Sequence, residues 1–134
     1  MRILAVAAVL MASPAFAQGV RGEGGGKAMH PGAEVYQNVC QACHMANGMG
    51  GEGAGRITAL AKNPNLEYPE YPISVVTGGR GAMPWFRGTL TDQQIADVIG
   101  YVRKNFGNRY KGDVTVAMVE EIGVPAPKGG RGGR

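Results

Sequence analysis

The chain has 134 residues, with 14 Lys/Arg against 10 Asp/Glu, 23 glycines and only two cysteines and two histidines. That length suits one small domain, and two cysteines exclude a disulfide-dense scaffold. The net charge of +4 belongs to the ends: with Arg2, Lys128, Arg131 and Arg134 set aside, residues 18–127 hold ten charges of each sign, so no strongly cationic body is implied.

Residues 1–17 read as an export signal. Arg2 is a minimal positive start, Ile3–Ala12 is uncharged and apolar, Pro14 breaks the run, and Ala15-Phe16-Ala17 supplies the small-x-small cleavage pattern. The apolar run is about half of the roughly 20 residues that a spanning helix needs, which favours cleavage before Gln18 over a retained anchor. Residues 18–30 are a glycine-rich leader without apolar periodicity. A domain of residues 31–122 follows. Its first helix opens at Pro31 and runs into Cys40, with Val35, Tyr36 and Val39 on one face.

Cys40-Gln41-Ala42-Cys43-His44 comes next. Cys-x-x-Cys-His is the attachment pattern of a c-type haem: two thiols add to the two porphyrin vinyl groups, and the adjacent imidazole becomes an axial iron ligand. A redox dithiol or half of a zinc site uses the same spacing. The zinc reading lacks ligands, because His30 is the one Cys or His outside the motif.

Asn47–Gly55 is a glycine-dense loop that lets backbone pass close to a planar group. The pattern then predicts a short helix over Ile57–Lys62, stopped by Pro64, and another opened by Pro72 and ended by Gly78-Gly79. The best-marked helix is Asp92–Phe106. Thr91 and Gln94 form a capping box, Ile95, Val98, Ile99, Val102 and Phe106 recur at helical spacing, and Gly107 is a stop. Gly100 inside it costs about 1 kcal/mol relative to Ala, which suggests close approach of another element. A last short helix over Thr115–Ile122 precedes a Gly/Pro-rich basic tail at 123–134, read as disordered. No strand pattern competes, so the class is all-α.

His44 fills one axial position, and the methionines and His30 compete for the other. Met45 and Met49 lie too near His44 in sequence to cross easily to the opposite face. Met83, in Gly81-Ala82-Met83-Pro84-Trp85-Phe86, leaves enough chain to wrap the haem edge and return. A buried core methionine is the ordinary alternative for Met83. Trp85 and Phe86 read as haem shields, and Arg80 as either a surface cation or a partner of a haem propionate.

These residues resemble a class I bacterial c-type cytochrome over roughly Gly32–Gly107. The resemblance rests on Gly32 and Tyr36 before the first cysteine, on Met83-Pro84, and on a C-terminal helix presenting Val98 and Tyr101 to the first helix. The fuller pattern is also similar to cytochrome subunits of periplasmic dehydrogenases. What the resemblance implies is a small cytochrome c fold around one covalent haem c on Cys40 and Cys43, with His44 and Met83 as iron ligands. Mitochondrial-type members carry a proline after the motif whose carbonyl receives the histidine N–H. No proline lies between His44 and Pro64, which leaves that role to some residue of the glycine loop.

The expected function is one-electron transfer in the periplasm, since in bacteria c-type haem is attached outside the cytoplasmic membrane. Electrons would come from a dehydrogenase or quinol-oxidising complex and leave towards a terminal oxidase or another cytochrome, through small transient contacts. No catalytic residue, nucleic-acid site or mature membrane span is expected, though the basic tail suits weak contact with a membrane surface. The alternatives are a cytochrome subunit held permanently by a dehydrogenase, and a haem enzyme or gas sensor with a labile sixth ligand.

Overall fold

The computed structural model describes residues 28–52, 55–126 and 128. The segment read as an export signal, most of the one read as leader and most of the one read as tail lie outside them.

A continuous helical run opens the domain, in three parts: α1 (Pro31–Val35), a π-helical turn at Tyr36–Cys40, and α2 (Gln41–His44). Pro31 enters where its missing N–H costs nothing. His30, expected as a leader residue, caps the helix: its Nδ1 accepts from the Gly32 amide at 3.0 Å. The Gln41 amide reaches back five residues to the Tyr36 carbonyl, which widens the turn that delivers Cys40.

Two features after the motif depart from the sequence reading. The glycine loop pairs into a minimal antiparallel ladder, β1 (Gly51–Glu52) on β2 (Arg56–Ile57), with Gly51 opposite Ile57 and Glu52 opposite Arg56. Strands of two residues are too short to carry an alternating pattern. The helix expected over Ile57–Lys62 does not form. The Leu60 and Ala61 amides donate to the Gly48 carbonyl (2.7 and 2.9 Å) and Lys62 takes a positive φ of 48°, so the segment spends its backbone bonds on its neighbours.

A 3-10 turn at Pro64–Leu66 leads to α3 (Glu70–Gly78), which starts two residues ahead of Pro72 and ends at Gly79 with φ of 74°. The main helix, α4 (Asp92–Lys104), has the expected capping box, with Thr91 Oγ1 accepting from the Gln94 amide and Gln94 Oε1 accepting from the Thr91 amide. It ends two residues before Phe106. Finally α5 (Val116–Ile122) is capped by Thr115.

Helix α4 is the hub. Ile95, Val98, Ile99 and Val102 are buried along one stripe, with Tyr36, Leu66, Ile73 and Val119 closing on it from the π-helical turn, the 3-10 turn, α3 and α5. Each such side chain contributes about 1.5–3 kcal/mol by leaving water. The close approach suggested for Gly100 occurs elsewhere: nothing lies within 4 Å of where its Cβ would be, whereas a Cβ on Gly32 would sit 2.0 Å from the Asp97 carbonyl oxygen. Helix α1 thus crosses α4 backbone to backbone. Beside the crossing, Tyr36 packs at 4.7 Å on Phe106 and 5.9 Å on Tyr101, as ring centroids.

The chain beyond α5 returns to α3. The Val124 amide donates to the buried Thr77 hydroxyl (2.9 Å), and its carbonyl accepts from Arg87 (3.3 Å). The segment read as tail therefore begins with residues packed on the domain.

Candidate functional site

The turn widened at Tyr36–Cys40 brings Cys40 to a half-buried position and leaves Cys43 exposed, neither in a disulfide. Burial, and next the neighbouring Cys43, push the Cys40 thiol up to about 11. A redox dithiol needs the opposite shift, towards thiolate. Among the described residues no three His, Cys, Asp or Glu gather as a metal cluster, so a zinc site has no support either.

His44 ends α2 with its Nδ1 3.0 Å from the Thr58 carbonyl oxygen. A carbonyl only accepts, so Nδ1 carries the proton and Nε2 keeps its lone pair. Burial holds the imidazole below the ordinary histidine range, partly offset by that hydrogen bond, which favours the neutral ring. The accepting carbonyl lies just past the glycine loop and not within it, which corrects the sequence expectation. A backbone carbonyl has no side-chain signature, and only the folded chain could name it.

The turn after His44 is held under strain. Met45 has φ of 65° and ψ of 163°, a region that only glycine enters freely and that costs a non-glycine about 1–3 kcal/mol. Its carbonyl accepts from the Tyr36 hydroxyl (2.7 Å) and from the Gly48 amide (3.2 Å). Tyr36 was expected as packing alone, and its hydroxyl also fastens this turn. Burial, then Cys40 and Tyr101, raise that hydroxyl to about 12, so it remains a donor throughout the neutral range.

Met83 sits half-buried in a loop fixed at both ends. Arg80 and Met83 exchange two backbone hydrogen bonds (2.9 and 3.0 Å), and the Phe86 amide donates to Val76 on α3 (2.9 Å). A Cβ on Gly79 would meet the Met83 carbonyl and the Trp85 amide at 2.9 Å, so glycine is required there by space as well as by φ. Ala82 faces Gly55, which brings this loop beside the one that follows the Cys-x-x-Cys-His motif. The Arg80 guanidinium stacks 5.8 Å from the centre of the Tyr71 ring.

One observation tests directly whether a haem suits these residues. The indole Nε1 of Trp85 is a buried donor with no partner, the one such side-chain atom among the described residues. An orphaned donor costs about 1–3 kcal/mol unless a partner arrives, and a haem carboxylate is an acceptor of the right chemistry. With a neutral imidazole, a thioether and paired thiols, the donor set fits a c-type haem.

The sequence model of the family described as cytochrome c oxidase, cbb3-type, subunit III matches residues 27–102. The chain belongs to this family of c-type cytochromes. The cytochrome is 34% identical over 122 residues to the cytochrome c subunit of a quinone alcohol dehydrogenase from Komagataeibacter europaeus, covering 79% of this chain and 26% of that protein. It is 36% identical over 109 residues to the gluconate 2-dehydrogenase cytochrome c subunit of Pantoea cypripedii, covering 68% of this chain and 23% of that one. It is 39% identical over 72 residues to cytochrome c6 of Leptolyngbya boryana, covering 53% of this chain and 85% of that protein. The chain spans about a quarter of the length of the dehydrogenase subunits it matches. Haem c is the cofactor class of the family. Among the described residues no helix is long and apolar enough to cross a membrane.

Proposed function

We propose that this cytochrome holds one haem c through thioethers to Cys40 and Cys43, with His44 and Met83 as axial ligands, and relays single electrons in the periplasm. The observation that carries the reading is the geometry at His44: immediately after the two thiols, its Nδ1 lies 3.0 Å from the Thr58 carbonyl, which leaves Nε2 with its lone pair for iron. The bound iron supplies a one-electron couple, and a thioether ligand raises its potential relative to two histidines.

The protein's own residues do the rest. The Thr58 carbonyl fixes the imidazole plane and raises its basicity. The paired hydrogen bonds between Arg80 and Met83 brace the methionine loop. Trp85 offers its indole N–H to a haem carboxylate, and Phe86, half-buried and bonded to Val76, keeps the loop closed on α3.

Optical spectra of oxidised and reduced protein, with a denatured-haem assay, test this reading. One haem c per chain and a methionine–iron charge-transfer band lost in Met83→Ala are expected. Retention of the band in that variant would move the axial ligand elsewhere.

Export to the periplasm rests on the signal at residues 1–17. Donor and acceptor are proposed by class: a dehydrogenase or quinol-oxidising complex, and a terminal oxidase or second cytochrome. The similarity to alcohol and gluconate dehydrogenase cytochrome subunits favours a second reading, a cytochrome held permanently by such an enzyme. Co-purification of a stable complex at native abundance separates a subunit from a free shuttle.

A further inference from the structure

The carbonyl that orients His44 belongs to a segment with no regular structure of its own. Residues 58–63 form neither helix nor strand, yet the amides of residues 60 to 63 and the carbonyls of 58, 59, 60 and 63 all have partners. The Leu60 and Ala61 amides go to Gly48, and the Lys62 amide to Phe106 (3.1 Å). The Ala59 carbonyl accepts from Asn63 Nδ2 (2.7 Å), and the Leu60 carbonyl from Asn108 Nδ2 (2.8 Å). The Asn63 amide donates to Asn108 Oδ1 (3.0 Å), and Tyr110 closes the ring by donating to the Asn63 carbonyl (3.0 Å).

Asn108 is the centre of this arrangement. It is 3% exposed, and a further bond from its Nδ2 to the Val102 carbonyl (2.9 Å) anchors it to the end of α4. Both amide protons and the oxygen are in use, so the side chain has one orientation. On the opposite side, a Cβ at Gly50 would lie 2.3 Å from the Ile57 oxygen and 3.0 Å from the Thr58 oxygen, so the loop after the haem motif presses on the same peptide. The Thr58 carbonyl is set between that loop and the two asparagines.

We infer that Asn108, assisted by Asn63, is a positioning residue for the iron ligand: by fixing the segment 58–63 it sets the strength of the His44–Thr58 hydrogen bond, and with it the reduction potential. The inference rests on His44 being an iron ligand. A firm bond from Nδ1–H lends the imidazole anionic character and favours the ferric state. Loosening the segment weakens that bond and raises the potential.

The test uses holo-protein of wild type, Asn108→Ala, Asn63→Ala and Arg103→Lys. Arg103 is buried and donates to the Leu66, Glu67, Lys111 and Gly112 carbonyls, which lie outside the 58–63 segment. Its lysine variant therefore loses stability at constant charge without releasing Thr58. Asn108→Ala is expected to raise the ferrous-to-ferric ratio at fixed ambient potential about two- to tenfold, which is about 20–60 mV at 59 mV per tenfold for one electron. The His44 Nδ1 proton should exchange with solvent faster in the same variant. Asn63→Ala should move both readouts the same way by less, and Arg103→Lys should move neither.

An Asn108→Ala protein that loses stability but keeps the wild-type potential and exchange rate overturns the inference, because a merely structural asparagine does that. So does an equal shift in Arg103→Lys. If Asn108→Ala yields no holo-protein, Asn63→Ala decides by the same criteria. A wild-type spectrum without histidine–methionine ligation would instead refute the site reading itself, before any variant is compared.

Discussion

Two helical glycines should respond to the same substitution with opposite signs. At Gly32 an added Cβ would stand 2.0 Å from the Asp97 oxygen, 2.6 Å from its carbonyl carbon and 2.7 Å from Tyr101 Cβ. An ordinary carbon–oxygen contact is about 3.3–3.6 Å, so α1 and α4 must part by more than about 1 Å. A gap of that size forfeits about a quarter to a half of each van der Waals contact along the crossing, and overpacking of this kind costs about 1–3 kcal/mol or more. The helix-propensity gain of at most about 1 kcal/mol offsets little of it. Gly32→Ala is therefore expected to lose about 2 kcal/mol, a fall in Tm of about 8–16 °C for a domain of this size. At Gly100 nothing lies within 4 Å, so the propensity term stands alone and Gly100→Ala should gain about 0.5–1 kcal/mol. Thermal and denaturant unfolding of the two holo-variants, followed by far-ultraviolet circular dichroism, measures both. Equal shifts of the same sign, or a Gly32→Ala protein within 0.5 kcal/mol of wild type (about the size of a neutral surface change), would refute backbone contact at the crossing.

Other perturbations give further expectations. Tyr36→Phe removes the donor to the Met45 carbonyl and should cost about 1–2 kcal/mol at pH 7, read from urea unfolding. The same hydroxyl links stability to alkaline pH. Its folded pKa of about 12 lies above the unfolded value of 10.0, so its contribution is complete below pH 10 and is lost as pH rises towards 12. The Phe variant should lack that part of the alkaline loss, and an unchanged pH profile would count against the buried hydroxyl. Trp85→Phe should destabilise the holo-protein by about 1.5–3 kcal/mol if a haem carboxylate accepts from the indole. A neutral result would leave Nε1 an orphan. The Lys104–Asp113 pair is exposed, with side chains 50% and 85% accessible, and Asp113→Asn should leave Tm unchanged.

The relation between sequence and structure differs from one element to the next. Thr91, Gln94 and the stripe from Ile95 to Val102 marked α4 because capping and helical periodicity act within a few residues of one another. Thr115 caps α5 by the same kind of local bond, its hydroxyl accepting from the Met118 amide. The segment Ile57–Lys62 misled, because its apolar spacing is compatible with a helix while its amides are captured by Gly48 and Phe106, distant partners that local pattern does not register. Gly100 misled in a related way. A helical glycine signals either close approach or no contact at all, and the crossing partner decides which; here that partner meets Gly32. Asn63 and Asn108 carry no local signal, because an isolated asparagine has no sequence signature, although between them they secure the carbonyls of residues 59, 60 and 102.

The sequence by itself determined the cofactor class, through two thiols and an imidazole in Cys40–His44. It could do so because that motif sets particular atoms at short, fixed spacing, which is written directly in the chain; Met83 as second ligand remains a proposal for the spectra to test. Only the tertiary structure decided that Thr58 orients His44, that Tyr36 fastens the strained Met45 turn, that Trp85 offers an unpaired donor, and that Asn108 pins the segment between them. These are matters of backbone carbonyls and long-range hydrogen bonds. Every residue carries a carbonyl, so sequence cannot mark the one that matters until the chain has folded.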